Sequence, residues 1–311
     1  MPLNILFAAS EDRWQAYEAP LREALSDIGQ GDANLALDIP AAEVDYIVYA
    51  PSSEVQDFMP YTRTKAVLNL WAGVEGVVGN DTLTQPLARM VDDGLTQGMV
   101  DWVVGHTMRH HLNTDLHVMN QDGKWRRYVP PLAPDRPVTI LGLGALGRAC
   151  GEALAGLGFP VTGWSRSQKD VEGLRCLSGD EGLVQALSDA QIVILLLPQT
   201  PDTENLLNAA RLDLLPEGAV IINPGRGPLI DDDALLSALD SGHIGHATLD
   251  VFREEPLPAE HPYWAHPKVT VTPHIASETR PKSASRVIAE NIRRGEAGEP
   301  FVHLVDRSLG Y

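Results

Sequence analysis

Short, almost wholly apolar runs recur along the chain at residues 3–9, 46–50, 66–70, 138–141, 161–164, 192–197, 219–222, 247–251 and 268–271. Polar or helix-forming sequence follows each one. A strand with one wet face alternates apolar and polar residues. A run that is apolar throughout is covered on both faces, the condition of a parallel strand between layers. The pattern predicts an α/β chain built from two doubly wound parallel sheets. A longer helical pattern spans 99–119, with Met99, Val103, Met108, Leu112, Leu116 and Met119 at its apolar positions. YVPPLAPDRP, residues 128–137, then predicts a linker before a new unit. A last helix is expected from Pro281 to about Arg294. No solenoid repeat and no low-complexity segment interrupts this order.

A length of 311 residues allows two domains, each with its own core. The formal net charge of −18 argues against nucleic acid or an anionic membrane surface as partner, since both would be repelled. A small anion is not excluded, because a few placed cations can bind one. The two cysteines, Cys150 and Cys176, have no CxxC spacing, so a reducing, cytoplasmic setting is expected. MPLNILFAASEDRW reads as a first strand, not a signal peptide. The most apolar run, 192–197, is too short to span a bilayer.

The run 138–141 leads directly into GLGALG and then a helical stretch ending near Gly158. Strand, GxGxxG and helix in that order form a dinucleotide fingerprint. Gly142 permits the tight turn, Gly144 lets the backbone approach a pyrophosphate, and Gly147 lets the helix pack close to the strand. Ala145 and Leu146 open a helix whose N-terminus offers N–H groups to the phosphates. About 20 residues further on, an acid usually accepts from the adenosine ribose hydroxyls. Here stands WSRSQK, with Ser165, Arg166 and Ser167 at the strand end and Lys169 beyond. A carboxylate would repel a 2′-phosphate, whereas Arg166 can pair with one and both serines can donate to it. NADP(H) is expected in preference to NAD(H). Trp164 is read as packing.

Three later stretches end expected strands, where open α/β sheets bind ligands. They are INPGRG with Arg226, LDVFREEPLP with Asp250 and Glu255, and TPHIASETRP with His274. Together with LWAGVEGV, LLLPQTPDTENLLN and the terminal VDRSLGY, these motifs resemble, in order and over nearly the whole chain, the D-isomer-specific 2-hydroxyacid dehydrogenases. Within that family the chain is most similar to the glyoxylate/hydroxypyruvate reductase A group. The resemblance implies reduction of a small 2-keto acid by hydride from a reduced nicotinamide. It implies a Rossmann cofactor domain at 99–280, a discontinuous flavodoxin-like substrate domain at 1–98 and 281–311, and an active site in the cleft between them. A homodimer through the region of helix 99–119 is implied too. Leu197, Pro198, Thr203, Pro224, Gly225, Asp250, His274, Ala276 and Ser277 fall on the cofactor side by the same resemblance. Backbone N–H groups of Trp71, Ala72, Gly73 and Val74 are expected to meet the substrate carboxylate.

The chemistry suits these residues. A forked guanidinium at Arg226 matches a carboxylate. Negative charge growing on the carbonyl oxygen needs a proton donor with a pKa near the working pH, which His274 supplies. Glu255 would orient and stabilise the imidazolium. Two departures from the family stand out. Gly225 replaces a frequent alanine, which is expected to alter little, and Trp71 replaces a frequent glycine, which could narrow the site. His106 and His110 have an i, i+4 metal-like spacing but no third ligand in sequence, so helix packing is expected and no metal. Cys150 is read as a small buried residue and Asp231-Asp232-Asp233 as a helix N-terminal acid cluster. Rival readings are a reductase of a larger 2-keto acid and a nicotinamide-sensing binding protein on the same fold.

Overall fold

The computed structural model describes residues 2–310. Met1 and Tyr311, the outermost residues of the expected substrate domain and the end of VDRSLGY, lie outside the described residues. The chain forms two compact units, one of Met1–Leu95 with Glu278–Tyr311 and one of Thr96–Ser277. These changeovers fall a few residues before the sequence-based boundaries at 98/99 and 280/281.

The first unit holds a parallel sheet of β1 (Asn4–Ala8), β2 (Asn34–Ala36), β3 (Tyr46–Tyr49), β4 (Ala66–Asn69) and β5 (Leu87–Ala88). Their order is β2-β1-β3-β4-β5, a flavodoxin-like order with its switch point between β1 and β3. Alternate side chains of β1 serve two cores. Ile5 and Phe7 pack with α1 (Glu11–Asp27) and the C-terminal helix Pro281–Ala297, while Leu6 and Ala8 pack with Ile39, Phe58 and Leu83. This two-sided burial explains why the strand is apolar throughout. In α1 the buried positions Tyr17, Leu21, Ala24 and Leu25 lie on one helical face. The C-terminal helix buries Ala284, Ile288 and Ile292 and ends at Gly298, whose φ of 69° is the left-handed cap glycine favours. It runs one turn beyond the expected Arg294. The other face of the sheet carries α2 (Glu75–Val78) and irregular segments.

The second unit is entered along α3 (Asp93–His111), followed by α4 (Thr114–Met119). One continuous helix over 99–119 was the sequence expectation. Instead the pattern breaks at Asn113, whose φ of 53° is left-handed, and Arg109 bridges the break to Asp115 at 2.8 Å. Asparagine tolerates that conformation better than most residues, so the helix ends there although its apolar spacing continues. The sheet comprises β6 (Val138–Leu141), β7 (Val161–Ser165), β8 (Arg175–Ser178), β9 (Ile192–Leu195), β10 (Ala219–Asn223), β11 (Ile244–Leu249) and β12 (Val269–Val271). Every pairing is parallel, in the order β12-β11-β10-β9-β6-β7-β8. Renumbered from β6, this is 7-6-5-4-1-2-3, a Rossmann order whose switch point lies between β6 and β9. In β9, Ile192 and Ile194 face the core shared with α5 (Ala145–Gly156), and Val193 and Leu195 face the core of α6 (Gly179–Ser188), α7 (Ala209–Leu212) and α8 (Asp232–Ser241).

Both sheets are therefore parallel, as the apolar runs predict. The strands that those runs did not reveal are β2, β5 and β8, and each lies at a sheet edge. An edge strand pairs on one side only, and β8 is exposed or half-buried along its length, so its residues need not be apolar.

Replacing Leu21, which is fully buried between α1 and the first sheet, by alanine is expected to lower stability by about 3 kcal/mol through lost burial and a residual cavity. Urea unfolding followed by circular dichroism measures this.

Candidate active site

In the second unit, β6 turns at Gly142 into α5. Gly142 has a φ of 109°, and a Cβ there would overlap the Leu196 carbonyl, so only glycine fits. A Cβ on Gly147 would overlap the Gly142 carbonyl, which sets the close contact of helix and turn. Gly144 has open space where its Cβ would point, and no side chain caps α5. Ala145 is exposed and Leu146 half-buried. The turn is thus closed by protein on two sides and open on the third, with an uncapped helix N-terminus beneath it. Such a cradle fits a pyrophosphate.

At the end of the neighbouring β7, Trp164 donates from Nε1 to the Gly179 carbonyl at 2.9 Å, in keeping with a packing role. Ser165 is buried, and its hydroxyl donates to the Ser167 carbonyl at 2.8 Å. Of the two serines expected to offer donors to a phosphate, Ser165 therefore shapes the turn. Ser167, Arg166 and Lys169 are exposed. On the other side of the switch point, Leu197 and Pro198 are half-buried. Thr203 folds their loop by donating to the Pro198 carbonyl at 2.8 Å and accepting from the Thr200 N–H at 2.8 Å.

After β10, Asn223 clamps the NPGRG turn. Its Nδ2 donates to the Arg226 carbonyl at 2.9 Å, and its Oδ1 accepts from the Gly225 N–H at 3.1 Å. Pro224 and Gly225 are buried, and Arg226 is half-buried with Nη1 donating to the Gly225 carbonyl at 2.7 Å. A Cβ on Gly225 would stand 2.8 Å from the Leu195 carbonyl oxygen. Alanine here would force backbone to move, so the departure expected to alter little is built into this chain's packing.

The third turn is organised by Asp250, 1 % exposed just after β11. Its Oδ1 accepts from the Thr272 hydroxyl at 2.5 Å and the Ile275 N–H at 2.9 Å, and its Oδ2 accepts from the Ala276 N–H at 2.9 Å. Its carbonyl accepts from the His274 N–H at 2.8 Å. The turn so held places His274 at a left-handed φ of 53°. There its Nδ1 meets Glu255 Oε2 at 2.7 Å, while Glu255 Oε1 accepts from the Phe252 N–H at 2.9 Å. Ala276 is buried and Ser277 half-buried; a Cβ on Gly98 of α3 would come 2.8 Å from the Ser277 hydroxyl, so that helix packs closely there.

The hydrogen bond that His274 donates to Glu255 raises the His274 pKa above its ordinary value. Burial and the Arg226 charge oppose this, and the Glu255 and Asp250 charges support it. For Glu255, burial pulls upward, but the bonds from His274 and Phe252 and the charges of His274 and Arg226 leave its pKa lowered overall. The protonated imidazole and the ionised carboxylate are thus favoured together.

In the first unit, the loop after β4 contains Trp71, Ala72, Gly73 and Val74. Asn69, 1 % exposed, donates from Nδ2 to the Trp71 and Gly73 carbonyls, both at 2.9 Å. The carbonyls are held by the side chain, and the N–H groups of Ala72, Gly73 and Val74 have no acceptor among the described residues. Asn69, Asn223 and Thr272 were not singled out in sequence. Their signal was present, since each is a polar residue at the end of an apolar run.

The histidines of α3 are packing residues. His110 meets the Thr248 hydroxyl at 2.8 Å and lies tilted against His246 with ring centroids 4.9 Å apart. Burial pushes the His110 pKa down to about 3. Buried Cys150 has its thiol pushed up to about 12 by burial, and Asp231 caps α8 by accepting from the Ala234 N–H.

A phosphate cradle at the switch point of a Rossmann sheet, joined to a carboxylate-oriented imidazole, is the equipment of a dinucleotide-dependent oxidoreductase. The chain belongs to the D-isomer specific 2-hydroxyacid dehydrogenases, whose NAD binding domain profile matches residues 103–276. It is 39% identical over 257 residues to the glyoxylate/hydroxypyruvate reductase A of Serratia proteamaculans, covering 80% of this chain and 82% of that one. The enzyme of that name from Yersinia enterocolitica is 38% identical over 276 residues, 86% and 88% of the two chains. Among solved structures, a D-isomer specific 2-hydroxyacid dehydrogenase from Xanthobacter autotrophicus in complex with NADPH and MES superposes over all of both chains, with a TM-score of 0.93 and 38% identity. The NADPH-dependent glyoxylate/hydroxypyruvate reductase of Sinorhizobium meliloti, in complex with NADP and sulfate, gives 0.85 at 33% identity over 100% and 99%.

Glu255→Gln is expected to move the His274 titration to lower pH, because the largest cause of its raised pKa is lost. The sign follows from linkage. A raised imidazole pKa stabilises the fold below the unfolded value and loses that contribution as pH rises through the folded value. NMR titration of the His274 ring protons reads the shift, and an unmoved midpoint would refute the assignment.

Proposed function

We propose that the protein reduces small 2-keto acids with NADPH, glyoxylate to glycolate and hydroxypyruvate to D-glycerate. The observation that carries this reading is the His274–Glu255 pair, held by Asp250 in a chain whose Arg226 turn and phosphate cradle end two strands, β10 and β6, that flank β9 in one sheet. The names of the relatives support the substrate class, and the NADPH and NADP complexes of similar structures support the cofactor. No carboxylate stands at residues 165–167 to repel a 2′-phosphate, which also favours NADP(H), with Arg166, Ser167 and Lys169 as its partners.

The reduced nicotinamide, when bound, supplies a hydride to the keto carbon. Arg226 binds the substrate carboxylate with its forked donors; in the first unit, the N–H groups of Ala72, Gly73 and Val74 are donors of the kind a carboxylate takes. His274 uses Nδ1 for Glu255, so Nε2 is the atom left to protonate the carbonyl oxygen. Glu255 stabilises the charged ring before transfer and fixes its orientation throughout. His274, half-exposed, regains its proton from solvent. Asp250 acts through the turn it folds.

Leu116, Val118, Met119, Trp125, Val129 and Leu132 are exposed along α4 and the following segment. Apolar exposure of this kind supports a homodimer through this region. Among the described residues no helix is long and apolar enough to cross a membrane. The unpaired cysteines support a cytoplasmic setting.

Initial rates of reduced-nicotinamide loss with glyoxylate or hydroxypyruvate are expected to be fast with NADPH and at least about tenfold slower with NADH, with Arg166→Ala narrowing the difference. His274→Asn is expected to cut kcat by about 10²-fold or more while NADPH binding, followed by fluorescence, is kept. Turnover that survives this substitution would remove His274 from the acid role.

A further inference from the structure

In the first unit the C-terminal ends of all strands lie along one edge of the parallel sheet. The first turn of α1, which follows β1 at the switch point, therefore shares that edge with the loop after β4. One strand separates them, a gap of roughly 10 Å that two long side chains can span. They do span it. The Arg13 guanidinium carbon lies 5.6 Å from the centre of the Trp71 ring, within cation–π range. Arg13 is half-buried and has no ion-pair partner among the described residues. One turn further along the same face of α1, the Tyr17 hydroxyl is buried and has no hydrogen-bond partner among the described residues. A buried hydroxyl left in that condition costs free energy that an incoming oxygen would recover.

These groups frame a recognition site for part of a substrate, and its charge restricts what that part can be. Burial raises the Tyr17 pKa to about 12; the Arg13 charge opposes that rise, while Asp92 and Glu278 add to it. Two carboxylates close enough to act on Tyr17 disfavour a second anion, while Arg13 and Tyr17 favour an oxygen acceptor. A neutral hydroxyl meets both conditions. Trp71 supplies the flat platform that seats Arg13, and its own backbone is held by Asn69 and by the Met90 N–H, which donates to the Trp71 carbonyl at 3.0 Å.

We propose that Arg13, seated on Trp71 with the Tyr17 hydroxyl beside it, is the specificity-determining residue for the group on C3 of the keto acid, selecting a C3 hydroxyl over a C3 methyl or carboxylate. The assignment rests on the keto-acid reading above and on the loop 71–74 receiving the carboxylate. Trp71 then does not merely narrow the site but holds the cation that reads the next carbon.

The test compares kcat/KM for glyoxylate, pyruvate and hydroxypyruvate, with NADPH, in the wild type, Arg13→Met, Arg13→Lys and Tyr17→Phe. Pyruvate and hydroxypyruvate differ only by the hydroxyl, and a site that hydrogen-bonds it discriminates strongly. The wild type is expected to prefer hydroxypyruvate over pyruvate by about 100-fold or more. Arg13→Met should reduce that preference at least tenfold, mainly through the KM of hydroxypyruvate, and should harm hydroxypyruvate far more than glyoxylate, which has no C3. Arg13→Lys should retain part of the preference. Tyr17→Phe should lower it too, whereas a hydroxyl with a purely structural role would leave it unmoved. A folded Arg13→Met enzyme with an unmoved ratio would overturn the assignment; should that variant fail to fold, an unmoved ratio in Tyr17→Phe would do so. A wild type that reduces neither glyoxylate nor hydroxypyruvate would overturn the functional reading and this assignment together.

Discussion

The candidate site depends on one buried carboxylate. Asp250 accepts from Thr272, Ile275 and Ala276, and its carbonyl accepts from His274. A carboxyl group at 1 % exposure is tolerable only when hydrogen bonds replace its lost water, and here the donors all come from the turn that carries the imidazole. The exchange is mutual. The turn satisfies the carboxylate, and the carboxylate holds His274 in a left-handed backbone conformation that few side chains adopt freely. Glu255 can then reach the ring at a hydrogen-bonding distance.

The same device recurs at smaller scale. Asn223 closes the turn bearing Arg226, Asn69 closes the loop after β4, and Thr203 closes the loop after β9. Asn69 and Asn223 do so from the ends of buried strands, and Thr203 from within its own loop. A parallel sheet buried on both faces makes this necessary, since its strand ends carry backbone groups that no neighbouring strand pairs. The loops are therefore rigid where ligands of such sheets bind, a condition that positioned catalysis requires.

Much of this was legible beforehand. Runs apolar on both parities announce central parallel strands, because alternate residues of β1 and β9 enter different cores. The edge strands β2, β5 and β8 were not legible, since one-sided pairing relaxes the demand for apolar residues. The break at Asn113 was hidden as well, because apolar spacing continues across it while the backbone does not. The order of motifs located Arg226, Glu255 and His274. What the motif order did not announce is that Asp250 folds the turn carrying His274. Ser165 was given to a phosphate, whereas its hydroxyl closes the turn to Ser167.

By itself, the sequence determined the parallel α/β class, the glycine turn, the missing acid after β7 and the imidazole, carboxylate and guanidinium at the strand ends. These depend on residue type and on spacing along the chain, where local sterics and charge decide the outcome. Only the tertiary structure decided which polar groups spend their hydrogen bonds on the fold and which remain for a ligand. It also seated Arg13 on Trp71, 58 positions away in sequence, because strand order and not chain order brings the ends of β1 and β4 to one edge.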